Sequence, residues 1–573
     1  MKAVDAGQAL GRVMVDEFIR CGMRHACLSP GSRSTPFALA LAGRPEINLH
    51  VLIDERSAAF LALGIARQSG RPVAMLTTSG TAAANLLPAV IEADHSGVPL
   101  LLLTADRPPA LRDTGAGQTV DQLKLFGAFV RWFAEAGVAE ARPESNAYWR
   151  SIACRGYYTA TGVRPGPVHL NLAFRDPLVP NIHAEPYPYS LEGRPGEAPW
   201  AQVHSEPPGI SDQEAACLAR AIEESHRGLI VVGAGVFDPG GLIALAQSAG
   251  WPLLAEPASN ARYGPTAISL YEALLRSTEF AESHRPDFVL RVGSLGTSPS
   301  LNSFLDSSVV QAAVDPGGTW RDPRRASRVF YQASVEQLCQ RVNSLLAPRH
   351  STDWLRDWLD AEAKSRRAVD GFLDEVSEIT EPGLARDLAD LLAGGSELVV
   401  ASSMPVRDLD WFMRPRRGLK IHVNRGANGI DGFVSTALGV ALSSKNPTVA
   451  LCGDLSLLYD QNGLMLGLGE EVSAVFVVIN NNGGGIFNFL PQAQDPHHFE
   501  RLFGTPHNID LACLAQTYRC EHALIEKPND IGPLLTQAQN QGGIHILEAK
   551  TDRRKNVETH RQLWQLVAAA LER

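Results

Sequence analysis

At 573 residues the chain exceeds one ordinary core, and at about 150 residues per domain it is expected to fold as three to four domains. A composition of 45% hydrophobic and 20% charged residues is that of an average globular protein and excludes a disordered or fibrous chain. Lys and Arg number 52 against 62 Asp and Glu, and the net charge of -10 argues against a nucleic-acid partner and for small-molecule ligands. The first residues, MKAVDAGQALGRVMVDEF, carry Asp5, Asp16 and Glu17 and no uninterrupted apolar run, so no secretion signal or membrane span is expected, and the predicted location is cytoplasmic. Eight scattered cysteines show no C-x-x-C spacing and read as buried thiols.

In chain order, HACLSP, LHVLIDE, PVAMLTTSG, PLLLLTAD and PVHLNLAF each read as a buried strand ended by a turn, alternating with Ala-rich helical stretches. That alternation predicts a parallel sheet covered by helices, over residues 1–185. Residues 186–209 hold Pro186, Pro188, Pro195, Pro199, Pro207 and Pro208 and read as a linker. A second series, GLIVVGAG, WPLLAEP, DFVLRVG and VVQAAVDP, predicts a middle domain over 210–348. A third, ELVVASS, LKIHVN, PTVALCGD, AVFVVINNN and GIHILEAK, predicts the last domain over 349–573. The expected fold class is therefore α/β, with three doubly wound parallel-sheet domains.

Open parallel sheets bind ligands beyond the carboxyl ends of their strands, which directs attention to the residues just past each run. GDLS at 453–456 and INNNGG at 479–484 both follow predicted strands, with Asp454 and Asn481 27 positions apart. A diphosphate needs a hard cation, and magnesium takes oxygen ligands; Asp454, Asn481 and the Gly483 carbonyl can supply three. Glycines at such an edge let the backbone approach phosphate. The alternative is a pair of unrelated turns, since G-D and N-N-G are ordinary turn sequences.

This GD, some 25 residues, then NN pattern resembles the thiamine-diphosphate enzymes. The resemblance implies that one domain holds the diphosphate, with Gly453, Asp454, Leu455, Ser456, Asn481 and Gly483 as cofactor residues and magnesium or manganese on Asp454, Asn481 and Gly483. It also implies that the aminopyrimidine is held by the partner subunit, so a homodimer or dimer of dimers is expected. The glutamate that bonds the pyrimidine ring corresponds to Glu55, in LIDERSAAFLALGIA at the start of an Ala-rich helix. Taken alone, Asp54 and Glu55 also suit the positive end of that helix.

Longer stretches narrow the resemblance: SPGSRSTP at 29–36, LTADRPP at 103–109, GPVHLNLAF at 166–174, SSMPVRD at 402–408 and NRGANGIDG at 424–432, with FERLFGTPH and NVETHRQLW. Across essentially the whole chain they look like the 2-succinyl-5-enolpyruvyl-6-hydroxy-3-cyclohexene-1-carboxylate synthase family of menaquinone biosynthesis. The resemblance implies decarboxylation of 2-oxoglutarate and transfer of its succinyl unit to isochorismate. It places Ser32 and Arg33 on isochorismate with Gln118 nearby, and Ser403, Arg407 and Arg425 on the succinyl side. Independently, Arg33, Arg107, Arg407 and Arg425 lie in loops at predicted strand ends, where guanidinium groups can grip dicarboxylates. Ile430, Ile486, Phe487 and Leu490 are apolar residues beside a glycine-rich edge, suited to wedging the cofactor or to core packing. In the middle-domain loop 292–304, Ser298, Ser300 and Asn302 can hydrogen-bond a carboxylate. His497, His498 and His507 read as a polar surface segment near the site, with a lid as one role and metal ligation disfavoured. Other readings are the same donor with a different acceptor, an acetolactate-synthase-like 2-oxo-acid decarboxylase, and a nucleotide-binding module with lapsed catalysis built on GLIVVGAGVFDPGG.

Overall fold

The structure, a computed structural model, describes residues 5–180, 186–204, 208–235, 237–306, 309–349 and 351–572. Residues 205–207 of the proline-rich stretch, with Pro207, lie outside them, as does His350. The described chain forms three six-stranded, fully parallel sheets and divides into two compact units. The first unit comprises 1–205, 424–445 and 459–473; the second comprises 206–423, 446–458 and 474–573.

In the first unit, β1 (His25–Leu28), β2 (Asn48–Val51), β3 (Val73–Thr77), β4 (Leu100–Asp106), β5 (Trp132–Val138) and β6 (Val168–Ala173) lie in the order β2-β1-β3-β4-β6-β5. Strand order reverses between β1 and β3, the mark of a doubly wound sheet. β3, β4 and β6 are buried along their whole length, which is why they read as continuous apolar runs.

The second unit holds two sheets. β7 (Gly228–Val232), β8 (Leu253–Ala255), β9 (Ala267–Ile268), β10 (Phe288–Val292), β11 (Val310–Val314) and β12 (Ser327–Tyr331) run in the order β12-β11-β10-β7-β8-β9. β13 (Glu397–Val400), β14 (Lys420–Val423), β15 (Thr448–Gly453), β16 (Ala474–Asn480), β17 (Glu521–Leu524) and β18 (Ile544–Lys550) run in the order β14-β13-β15-β16-β18-β17. Position for position, this is the order of the first sheet, so the first and third sheets share one topology.

Four strands have no counterpart in the sequence reading: β5, β9, β12 and β17. All are edge strands. β5, β12 and β17 are mostly half-buried or exposed and β9 spans only two residues, so none carries the long apolar run that marks a strand in sequence.

Helix Glu55–Ser69 begins at Asp54, whose carboxylate accepts the N–H groups of Arg56 and Ser57 at 2.9 and 3.3 Å, and ends at Gly70, with φ 68°. The capping role therefore belongs to Asp54. Within the first unit this helix packs against helix Phe433–Ser443, with Gly64 and Gly439 at the close approach. Among the described residues no helix is long and apolar enough to cross a membrane.

Candidate active site

The second unit carries the diphosphate motif. Gly453 at the end of β15 pairs in register with Ile479 on β16, so the residues just beyond them leave the carboxyl edge side by side. Asp454 is 1% exposed. One carboxylate oxygen accepts the Leu455 N–H at 2.7 Å; the other accepts the Gly483 N–H at 2.9 Å and faces His507 Nε2 at 3.2 Å. Burial pushes this carboxyl up, and those contacts partly offset the shift. Gly483 sits at φ 138°, where a Cβ would stand 2.0 Å from the Gly504 carbonyl oxygen, so this position requires glycine.

Asn481 is 8% exposed and donates Nδ2 to Glu381 Oε1 at 3.0 Å, while its Oδ1 is buried without a hydrogen-bond partner. A buried carboxylate and an orphaned amide oxygen on adjacent strand ends are hard oxygen donors with unmet acceptor capacity. That set fits a magnesium or manganese ion on a diphosphate. Leu455 is half-buried and Ser456 buried, both in helix Asp454–Tyr459.

His507, expected on a surface segment near the site, is half-buried and stands directly against Asp454. His497 and His498 are exposed and their backbone N–H groups donate to Asp495, but the His507 N–H donates to Asn482 Oδ1 at 3.0 Å and its ring faces Asp454. The Gly484 N–H reaches the Gly504 carbonyl at 2.8 Å, so the segment around 504–507 lies on the glycine-rich loop. Phe487 packs against Phe503 with tilted rings whose centroids are 5.6 Å apart, Leu490 is 39% exposed, and Ile486 packs on a hydrophobic cluster of this unit. Ile486 therefore has a core-packing contact in addition to any role at the edge.

Beyond β13, Ser403 adopts φ 76°, unusual for a residue with a side chain, at the tight turn into helix Met404–Phe412. Arg407, one turn on and half-buried, donates to the Ser403 carbonyl at 2.6 Å. In the loop after β10, Ser298 and Ser300 donate their hydroxyls to the buried Glu272, Ser298 also caps Leu301, and Asn302 donates to the Gly296 carbonyl. The carboxylate that Ser298 and Ser300 bond in the structure is that of Glu272, which ties this segment to helix Tyr271–Leu274.

The first unit carries the candidate activating glutamate. Glu55 is the first residue of its helix, half-buried, and accepts Asn85 Nδ2 at 3.2 Å. Arg33 is 8% exposed: its guanidinium donates to the Phe174 carbonyl at 2.9 Å, and its Nε is buried without a partner. Burial and the nearby Arg107 hold its pKa below the ordinary value, and Asp176, 3.6 Å from the guanidinium, offsets part of that shift. Arg107 donates to the Gly117 carbonyl at 2.9 Å. Ser32 is exposed, and Gln118, at φ 55°, is fixed to Ser79 by two bonds of 2.9 and 3.0 Å. Ser32, Arg33 and Gln118 all follow strands of the first sheet.

Arg425 and Ile430, both half-buried, belong to this unit in the loop 424–432. That loop is pinned by Glu92, 3% exposed, which accepts the N–H groups of Gly426 and Ala427 at 3.0 and 2.7 Å and pairs with Arg67 at 3.1 Å. No local pattern marks Glu92 as the anchor of this loop, since the two amides that it accepts lie more than 330 positions away. Arg407 and Arg425, read together on the succinyl side, fall in different units.

Comparison with known proteins fits this geometry. Residues 8–125 match the thiamine pyrophosphate enzyme N-terminal TPP-binding domain, 195–400 the middle domain, and 402–549 the C-terminal TPP-binding domain. The 2-succinyl-5-enolpyruvyl-6-hydroxy-3-cyclohexene-1-carboxylate synthase of Thermobifida fusca is 46% identical, covering 98% of this chain and 99% of its own length. The chain belongs to this family. Synthases of the same name from Chloroflexus aurantiacus, at 43% identity over 96% of this chain and 94% of the relative, and Geobacillus kaustophilus, at 40% over 98% of each, extend the family match. Benzoylformate decarboxylase from Polynucleobacter necessarius shares the fold, with a TM-score of 0.72 at 16% identity over 95% of this chain and 98% of that one. Like the other synthases, this chain is a thiamine-diphosphate-dependent enzyme of the transferase class.

Proposed function

We propose that the protein decarboxylates 2-oxoglutarate and adds the succinyl unit to isochorismate, forming 2-succinyl-5-enolpyruvyl-6-hydroxy-3-cyclohexene-1-carboxylate for menaquinone biosynthesis in the cytoplasm. The observation that carries this reading is 46% identity to a synthase of that product over 98% of the chain. Bound thiamine diphosphate supplies the electron sink for loss of carbon dioxide. Asp454, Asn481 and the Gly483 carbonyl hold magnesium or manganese against the diphosphate, with Gly453, Leu455 and Ser456 framing the edge. Glu55 holds and passes a proton at the pyrimidine ring nitrogen.

Ser403, Arg407 and Arg425 bind and orient the carboxylates of 2-oxoglutarate. Ser32, Arg33 and Gln118 receive isochorismate, and Ile430, Ile486, Phe487 and Leu490 form apolar walls that exclude water. The functional form is a homodimer or dimer of dimers whose sites use residues of two subunits. The proposed domains are pyrimidine-binding, 1–185; linker, 186–209; middle, 210–348; and diphosphate-binding, 349–573.

One observation favours a second reading with the same donor and a different acceptor: the loop 293–302 carries no Lys or Arg, and its serines are engaged with Glu272. The deciding experiment is carbon dioxide release from 2-oxoglutarate with thiamine diphosphate and magnesium, with and without isochorismate, followed by mass analysis. An isochorismate-dependent succinyl adduct supports the synthase. Release without the adduct moves the acceptor to another compound, and activity on pyruvate alone overturns the assignment.

A further inference from the structure

In the second unit, Asn481 and Thr551 stand just past the neighbouring strands β16 and β18, where Asn480 and Lys550 are register partners. Both donate to one oxygen: Glu381 Oε1 accepts Asn481 Nδ2 at 3.0 Å and Thr551 Oγ1 at 2.9 Å. Glu381 is 1% exposed and is the first residue of helix Glu381–Leu391, whose start is fixed by Thr380 Oγ1 accepting the Gly383 N–H at 3.1 Å.

An asparagine amide has two faces that differ only in which atom donates. With an acceptor holding Nδ2, the amide oxygen must point the other way; the flipped amide would set two acceptor oxygens against each other. The Asn481 Oδ1 so presented is buried and has no partner.

We propose that Glu381 is a positioning residue that fixes the Asn481 amide with its oxygen turned toward the diphosphate-bound cation. The proposal rests on the reading of Asp454, Asn481 and Gly483 as the cation site. Glu381 acts through the acceptor geometry of Oε1, since a carboxyl oxygen held by two donors accepts whether or not its companion oxygen carries a proton. Partners that orient metal ligands in this way set metal affinity along with the ligands themselves.

The test is calorimetric titration of Mg2+ into the full-length protein with thiamine diphosphate present, so the readout is binding and not turnover. Glu381→Met, which keeps the volume and removes the acceptor, should raise the Mg2+ dissociation constant about 10–100-fold. Glu381→Gln, which keeps Oε1 as an acceptor, should stay within about threefold of the parent. Parent-like binding by Glu381→Met overturns the proposal, and so does a Glu381→Gln loss as large as that of Glu381→Met. Should Glu381→Met fail to fold, Glu381→Asp, whose carboxylate is withdrawn by one methylene, takes its place with the same expected loss. A parent protein that binds no Mg2+ with thiamine diphosphate overturns the cation-site reading itself, an outcome visible without any variant.

Discussion

A Cβ built on Gly64 would stand 2.1 Å from the Thr436 carbonyl oxygen, so the helix that begins at Glu55 meets helix Phe433–Ser443 backbone to backbone. Gly439 makes the reciprocal approach, its Cβ position 2.3 Å from the Leu61 carbonyl oxygen. Neither atom is the end of a flexible side chain, so the helices must separate to admit a methyl group. Gly64→Ala should therefore cost about 1–3 kcal/mol or more of stability, read as a lower thermal unfolding midpoint.

The same helix pair is tied by a buried carboxylate. Asp460 is fully buried; its oxygens accept Ser57 Oγ at 2.9 Å and the Ser435 N–H at 2.7 Å, and Arg56 is the charged group that bears on it. Burial pushes its carboxyl up to about 6 from 3.8. Between those values the folded state holds a proton that the unfolded state has released, so stability falls as pH rises from 4 to 6 and stays lower above that window. A window of about two pH units corresponds to at most about 3 kcal/mol. Asp460→Asn removes this titration, so the stability of the variant relative to the parent should rise between pH 4 and pH 7. A difference that stays flat across that range would show that Asp460 is ionised throughout.

Glu55→Gln should lower kcat by about 10²–10⁴-fold, the usual weight of a proton-transferring group. Thiamine diphosphate binding, followed by calorimetry, should change far less, because the residues proposed to hold the diphosphate are others, Asp454, Asn481 and Gly483 among them. A variant with near-parent kcat would remove Glu55 from the chemistry.

Arg33→Lys keeps the charge but gives up the planar fork. It should raise KM for isochorismate about 10–100-fold, the worth of a charge-assisted hydrogen bond. Carbon dioxide release from 2-oxoglutarate alone should be unchanged, and an equal loss in both assays would move Arg33 from the acceptor to a structural role.

Much of the fold was legible. Apart from the two-residue β9, every strand buried on both faces appears in sequence as an apolar run, and every strand missed lies at a sheet edge, where one side meets no neighbour and the pattern weakens. The proposed cation ligands come together for a related reason: Asp454, Asn481 and Gly483 follow two such runs, and the backbone register brings their ends side by side. The direct contact of His507 with Asp454 was not legible, because a polar stretch with three histidines looks like surface, and only the fold brings the Gly504 carbonyl onto Gly484.

By itself, the sequence determined the elements that depend on neighbours along the chain: buried strands, the Asp54 cap, and the motif residues at strand ends. Those follow from burial periodicity and from backbone groups a few residues apart. The tertiary structure alone decided which buried polar groups meet: Glu92 with the amides of Gly426 and Ala427, Asp460 with Ser57 and Ser435, and Glu381 with Asn481 and Thr551. Such pairs are set by desolvation, which requires each buried carboxylate to find donors, and the donors available depend on chain crossings that no local pattern encodes.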